Sequence, residues 1–140
     1  MQIVSNPNCQ LNDCFSNRIN LPNNVNMDFI NLINEFLRIG CKRRLHASVA
    51  ARVFQDLELD KRHHSVAKCF EESLEIVFLR ALTFNDASLI FLPLLDTEEV
   101  NFKRIEELRN KLCISEQNNL FLAICDPSSN ILYYQLTPNL

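Results

Sequence analysis

In FINLINEFLRIG the apolar residues Phe29, Ile30, Ile33, Phe36 and Leu37 recur at three- and four-residue steps, the spacing of one helical face. The spacing predicts a helix that Asn26 or Asp28 caps and Gly40 stops. A second helical period runs through RLHASVAARVFQDLELD, with Leu45, Val49, Val53 and Leu57 on one stripe and Ala50 and Phe54 beside it. From His63 the period shortens. HHSVAKCFE alternates weakly through Val66, and SLEIVFLRALTF is a stronger strand centred on Ile76, Val77, Phe78 and Leu79. Asn85-Asp86 makes a turn. SLIFLPLL is a third strand, which must end or lie at an edge at Pro93, because proline donates nothing to a ladder.

Asp96 or Thr97 is placed to cap a third helix, with Glu98 and Glu99 in its first turn. Its stripe is Ile105, Leu108 and Leu112; Lys103, Arg104, Glu106, Glu107 and Arg109 are expected to face water. LFLAIC, apolar throughout, reads as a strand covered on both faces. DPSSN is a turn, and ILYYQL is the last strand. The fold class that follows is α+β, a mixed β-sheet with helices packed on it. Residues 1–26, rich in Asn, Pro and Ser without a sustained period, are expected to form a disordered leader, and 27–140 a single domain.

The ILYYQL run raises a question of its own. In a strand, Ile131, Tyr133 and Gln135 point one way and Leu132, Tyr134 and Leu136 the other. Each side carries an apolar residue and a tyrosine. A solvent-facing edge is normally polar on one side, and an exposed hydrophobic edge invites aggregation. Both faces are therefore expected to be covered, by this chain or by a partner.

Composition narrows the function. The chain has 140 residues, 47% hydrophobic and 22% charged, with a net charge of -3. An acidic balance argues against strong autonomous binding to nucleic acid, which needs Lys and Arg at the phosphates. A single glycine, Gly40, excludes a P-loop, a dinucleotide-binding fingerprint and a nucleophile elbow. None of the six cysteines forms a Cys-x-x-Cys pair, and MQIVSNPNCQ lacks the basic and apolar regions of a signal peptide. Reduced thiols are expected, with Cys69, Cys113 and Cys125 as small core residues. No run approaches the length of a membrane span.

Candidate chemistry is sparse. His63, His64 and Cys69 fit no common zinc spacing, and adjacent strand residues point to opposite faces. Ser65-Val66-Ala67-Lys68 matches S-x-x-K but lies in strand-like surroundings without the downstream partner motifs. No lysine has an acid two residues before it, the pattern of metal-dependent nucleases. CKRRL, the only dense basic run, reads as a solvated face between helices. No metal and no cofactor is expected. A metal-free RNase would need a His base, an acid or Tyr, and a Lys or Arg for the phosphate. His46, His63, His64, Tyr133 and Tyr134 supply the types, but no spacing brings them together.

The closing hairpin LFLAICDPSSNILYYQL resembles the last two strands of the tRNA-splicing endonuclease superfamily, in which a hydrophobic strand, an acidic turn and a Tyr-Tyr strand follow one another. NFKRIEELRNKL looks like the helix before that hairpin. HASVAARVFQDLELDKRHHSV resembles the helix-to-strand passage of its smallest, non-catalytic eukaryotic subunit type. The likeness spans residues 28–137. It implies the tRNA-intron-endonuclease, restriction-endonuclease-like fold. It further implies a structural subunit that pairs with a catalytic one in a heterotetramer excising introns from precursor tRNA, without metal, in the nucleus (or, alternatively, the cytoplasm). Catalytic members use Tyr, His and Lys, with the Lys just before the penultimate strand; here that place holds SEQNN, residues 115–119. Lys111 lies earlier, inside the helix, and no His stands after the third strand. Family subunits pair through their last strands and dock the acidic turn in a basic groove. On that pattern the interface residues are Asp126, Ile131, Leu132, Tyr133, Tyr134, Gln135 and Leu136. The turn keeps Asp126 but lacks a second acid and a Gly. The partners implied are the other endonuclease subunits, with precursor tRNA only through the complex. The alternatives are a stand-alone metal-independent RNase using His63 or His64, and a homodimeric interaction domain.

Overall fold

The computed structural model describes residues 25–112 and 119–137. Its elements run α1 Val25–Ile39, α2 Arg44–Leu59, β1 His63–Glu71, β2 Ile76–Thr83, β3 Ser88–Leu95, α3 Phe102–Lys111, β4 Asn119–Cys125 and β5 Ile131–Leu136. The strands form one sheet in the order β1-β2-β3-β4-β5. All neighbours are antiparallel except β3 and β4, which are parallel and joined through α3. The expected α+β class and mixed sheet are thus observed.

Helix α1 ends as the lone glycine suggests. Cys41 N–H donates to Phe36 O at 3.1 Å and Gly40 N–H to Leu37 O at 3.2 Å, the paired bonds of a Schellman stop. Gly40 has φ +135°, and a Cβ there would lie 2.5 Å from Cδ2 of the Phe70 ring. The glycine thus serves both the helix stop and the close approach of β1. At the other end, Asn26 and Asp28 lie inside the first turn of α1 and not before it. The expected leader lies outside the described residues as far as residue 24.

Helix α2 lies on the sheet and buries Ala47, Val49, Ala50, Ala51, Val53, Phe54 and Leu57. Leu45, counted with this stripe on spacing, is 52% exposed although Ala47 in the same turn is fully buried, because four-residue steps drift round a helix of 3.6 residues per turn and carry Leu45 off the buried face. The CKRRL run is the solvated face expected: Arg43 and Arg44 are exposed, and Lys42 pairs with Glu75 at 2.6 Å. Helix α3 is capped by Asn101, whose side chain accepts from Arg104 N–H, and not by Asp96 or Thr97, which lie in the preceding turn. Ile105, Leu108 and Leu112 are buried as predicted. Arg109, expected in water, is buried with Nε on Glu106 at 3.3 Å.

Both faces of the sheet are covered over most of its width. On one face Lys68 meets Glu35 of α1 at 2.8 Å and lies 4.5 Å from the Phe54 ring of α2. Alternation turns Ile90, Leu120 and Leu122 to the other face, and these too are buried. There α3 is tied to the β1–β2 turn, Lys111 reaching Glu71 and Ser73, and Arg104 the carbonyl of Leu74. Phe36, Phe78, Leu79, Leu108 and Leu120 are fully buried, each worth about 1.5–3 kcal/mol. Pro93 does not end β3. It pairs with Ala123 of β4, while β2 stops pairing at Phe91, so no ladder bond is needed on the far side.

Cys41 and Cys125 are free and buried. Cys69, fully buried, is disulfide-bonded, which corrects the expectation of reduced thiols throughout. An apolar setting predicts where a sulfur packs, not whether a second sulfur lies beside it. Cys9, Cys14 and Cys113 lie outside the described residues.

Candidate functional site

Strand β5 is the outer strand of the sheet beyond β4, with the register Ile131–Cys125, Tyr133–Ala123 and Leu136–Leu120. Its side chains alternate. Ile131 and Tyr133 are half-buried toward α2, whereas Leu132 and Tyr134, on the opposite face, are 57% and 52% exposed. Leu136 is half-buried and Gln135 exposed. The expectation that both faces are covered is met on one face only within this chain.

The turn before β5 is built around Asp126. Its Oδ1 accepts from Ser128 N–H at 2.8 Å and Asn130 N–H at 2.9 Å, and Oδ2 accepts from the Asn130 amide at 3.3 Å. Ser129 takes φ +66° to close the turn. The Asn130 backbone N–H, above all, holds the Asp126 carboxyl below the usual carboxylate range. The charge expected to face outward is thus engaged with the turn's own backbone.

On the α2 side of β5 lies a cleft of about 670 Å³. Its floor is aromatic. Phe91 and Phe121 stack with centroids 5.0 Å apart, and Tyr133 and His63 stand edge-on to Phe91 at 5.6 and 5.9 Å. Its wall is the last turn of α2. Tyr133 Oη donates to Asp56 Oδ2 at 2.5 Å, and His63 Nδ1 lies 3.1 Å from Leu57 O. Arg62 forks onto Asp60, with Nη2–Oδ2 at 2.7 Å. Burial first, and then the bond to Asp56, push the Tyr133 phenol well above the usual range, so it stays protonated at neutral pH. The guanidinium of Arg62 holds Asp60 far below the carboxylate range.

The candidate catalytic types therefore converge only in part. His63 and Tyr133 share the cleft. His46 is elsewhere, 3.3 Å from Glu98, and His64 packs outside against Phe84 at 5.6 Å. Lys68 is held by Glu35, and Lys111 by Glu71. Ser65 and Lys68, three apart in a strand, do not share a face. Among the described residues no group of three or more His, Cys, Asp or Glu is placed to hold a metal ion. Asp56 and Asp60, the acidic wall, were not legible as site residues; their four-residue spacing at a helix end was the one available signal.

A family model described as Sen15 protein matches residues 52–140, from the middle of α2 through both closing strands. No curated protein sequence matches the chain significantly. The match covers more than half of the chain and takes in the hairpin, the α2-to-β1 passage and the parallel crossover described above. The chain therefore belongs to the Sen15 family and is a subunit type of the tRNA-splicing endonuclease.

Proposed function

We propose that this subunit is non-catalytic and structural, and that it pairs with a catalytic subunit through β5 as part of the heterotetramer that excises introns from precursor tRNA in the nucleus. The observation that carries the reading is the state of β5 itself. Among the described residues it is an outer strand with no strand beyond it, and Leu132 and Tyr134 stand half or more exposed on one face. A second chain adding a strand there would satisfy the free main-chain groups and cover the two side chains. Tyr134 suits such a place, because its ring buries while its hydroxyl finds a partner.

The test is Tyr134→Asp in the co-expressed complex. The catalytic partner should be released while the free chain keeps its melting temperature. If the partner stays bound and the free chain unfolds, β5 belongs to the core and the reading fails.

One observation favours a second reading, a stand-alone metal-free RNase: His63 and Tyr133 line one cleft. Against it, the Tyr133 hydroxyl is committed to Asp56, and Lys68 and Lys111 are paired with carboxylates outside the cleft. Cleavage of precursor tRNA by the isolated chain without metal, lost in His63→Ala, would establish this second reading in place of the first.

A further inference from the structure

We infer that the cleft behind β5 is a receptor for an arginine side chain presented by a protein partner. The inference does not rest on β5 pairing, since the cleft opens on the face opposite Leu132 and Tyr134.

Three features set the ligand chemistry. The floor is aromatic: Phe91, itself only 4% exposed, stacks on Phe121, and the partly exposed rings of Phe121, Tyr133 and His63 are the surfaces a ligand can meet. Phe84, 69% exposed, stands at the mouth. The wall is electronegative, for Asp56 and Asp60 project from the C-terminal end of α2, where the helix dipole also favours a cation. Asp60 is already taken by Arg62 of the same chain, whereas Asp56 forms no ion pair within 4 Å among the described residues, although the Arg52 guanidinium one helical turn before it acts on the same Tyr133 hydroxyl. Tyr133 donates to its Oδ2, and among the described residues nothing donates to Oδ1. A carboxylate beside an aromatic floor fits a flat cation that stacks and hydrogen-bonds at once. Guanidinium does both, whereas an ammonium is a compact, strongly hydrated point charge. The chain uses the same pairing internally, with the Lys68 ammonium between Glu35 and the Phe54 ring.

The same features disfavour RNA as the occupant. A nucleobase would find stacking surface, but its phosphates would meet the Asp56 carboxylate and the carbonyl end of α2, while the Arg62 guanidinium at the cleft is already paired with Asp60. A protein segment carries the cation without the anion.

The test is a ¹H–¹⁵N titration of the full chain with N-acetylarginine amide, N-acetylcitrulline amide and AMP. Arginine amide should give saturable shifts at Asp56, Phe84 and Asn85, with a dissociation constant on the millimolar scale expected of a single small ligand. Citrulline amide, the same shape without the charge, should bind at least about tenfold more weakly. Asp56→Asn keeps an acceptor for Tyr133 Oη and should weaken arginine binding by a similar factor, with the rest of the spectrum unchanged. The inference is overturned by equal responses to arginine and citrulline amides, or by no saturation at tenfold above a millimolar constant. Tighter binding of AMP would replace the protein partner with RNA.

Discussion

β1 and β5 are the two outer strands of one sheet, and their side chains are treated in opposite ways. From Ser65 to Glu71, seven consecutive residues of β1 are buried. Helix α1 and the β1–β2 turn close over it, with Phe70 under Gly40 and Lys68 under Glu35. Two charged residues, Lys68 and Glu71, lie within the buried run, and inward-pointing charges are a known way of blunting an edge against unwanted pairing. β5 has neither device. It carries no charge at all in ILYYQL, and it leaves Leu132 and Tyr134 in the open. The side chains of one outer strand are covered within the chain, whereas the other outer strand leaves Leu132 and Tyr134 uncovered on one face.

The largest expected effect tests that contrast in stability. Phe70→Ala should cost about 3–5 kcal/mol, the range for truncating a buried aromatic. Leu132→Ala in the free chain should stay within about 0.5 kcal/mol, as for exposed positions. Chemical denaturation of both variants measures the difference. Similar losses for the two would mean that β5 is core in the free chain, and the contrast would be broken.

Next is Gly40→Ala. The added Cβ would lie 2.5 and 2.6 Å from the Phe70 ring atoms, at a φ of +135° that an L-residue rarely adopts. Phe70 is 6% exposed and has little room to turn away. A loss of about 1–3 kcal/mol is expected. Gly40→Ala combined with Phe70→Leu should recover part of it, because the clash disappears with the ring. A double-variant stability equal to the sum of the single losses would show that the two do not meet.

A similar size attaches to the buried charge. Lys68→Ala strands Glu35, whose side chain is 17% exposed, so the loss should fall below the full cost of breaking a buried pair, at about 2 kcal/mol. Lys68→Met, which keeps the stem over Phe54 but not the ion pair, should lose less in Glu35→Gln than in the parent. No coupling in that cycle would mean that the charge serves only to blunt the edge.

These positions also show where sequence reading works. Element types and order were legible because their periods differ, three to four residues in α1 and α2 and near-continuous apolar runs in β2 and β4. The hairpin was legible because DPSSN separates two such runs. Periodicity fails where burial depends on a distant element. Leu45 has the right spacing but lies off the buried face of α2, and Arg109 has the wrong chemistry but lies under cover. The cap moved from Asp96 to Asn101 because the turn after β3 runs longer than the first acidic residues suggest. The cleft was the least legible feature. Asp56 and Tyr133 are 77 residues apart, and only the α2-on-sheet packing brings them to 2.5 Å.

The smallest effect sharpens the view of the open edge. If β5 awaits a partner, its turn is either ordered in advance or ordered on docking. The structure favours the first, because Asp126 accepts from two backbone N–H groups and the Asn130 amide within the turn itself. Those bonds lower the carboxyl's pKa in the folded chain. A depressed folded value means stabilisation that is present above the unfolded pKa of about 3.9 and is lost as pH falls through the folded value. Asp126→Asn keeps an acceptor for both backbone amides but removes the charge. Its melting temperature should therefore fall slightly below the parent's near pH 7, and the gap should close as the pH drops under about 4. A gap that is constant with pH would assign the loss to geometry and not to charge. No gap at any pH would mean that the carboxylate does not hold the turn in solution and is free to face a basic groove on another subunit.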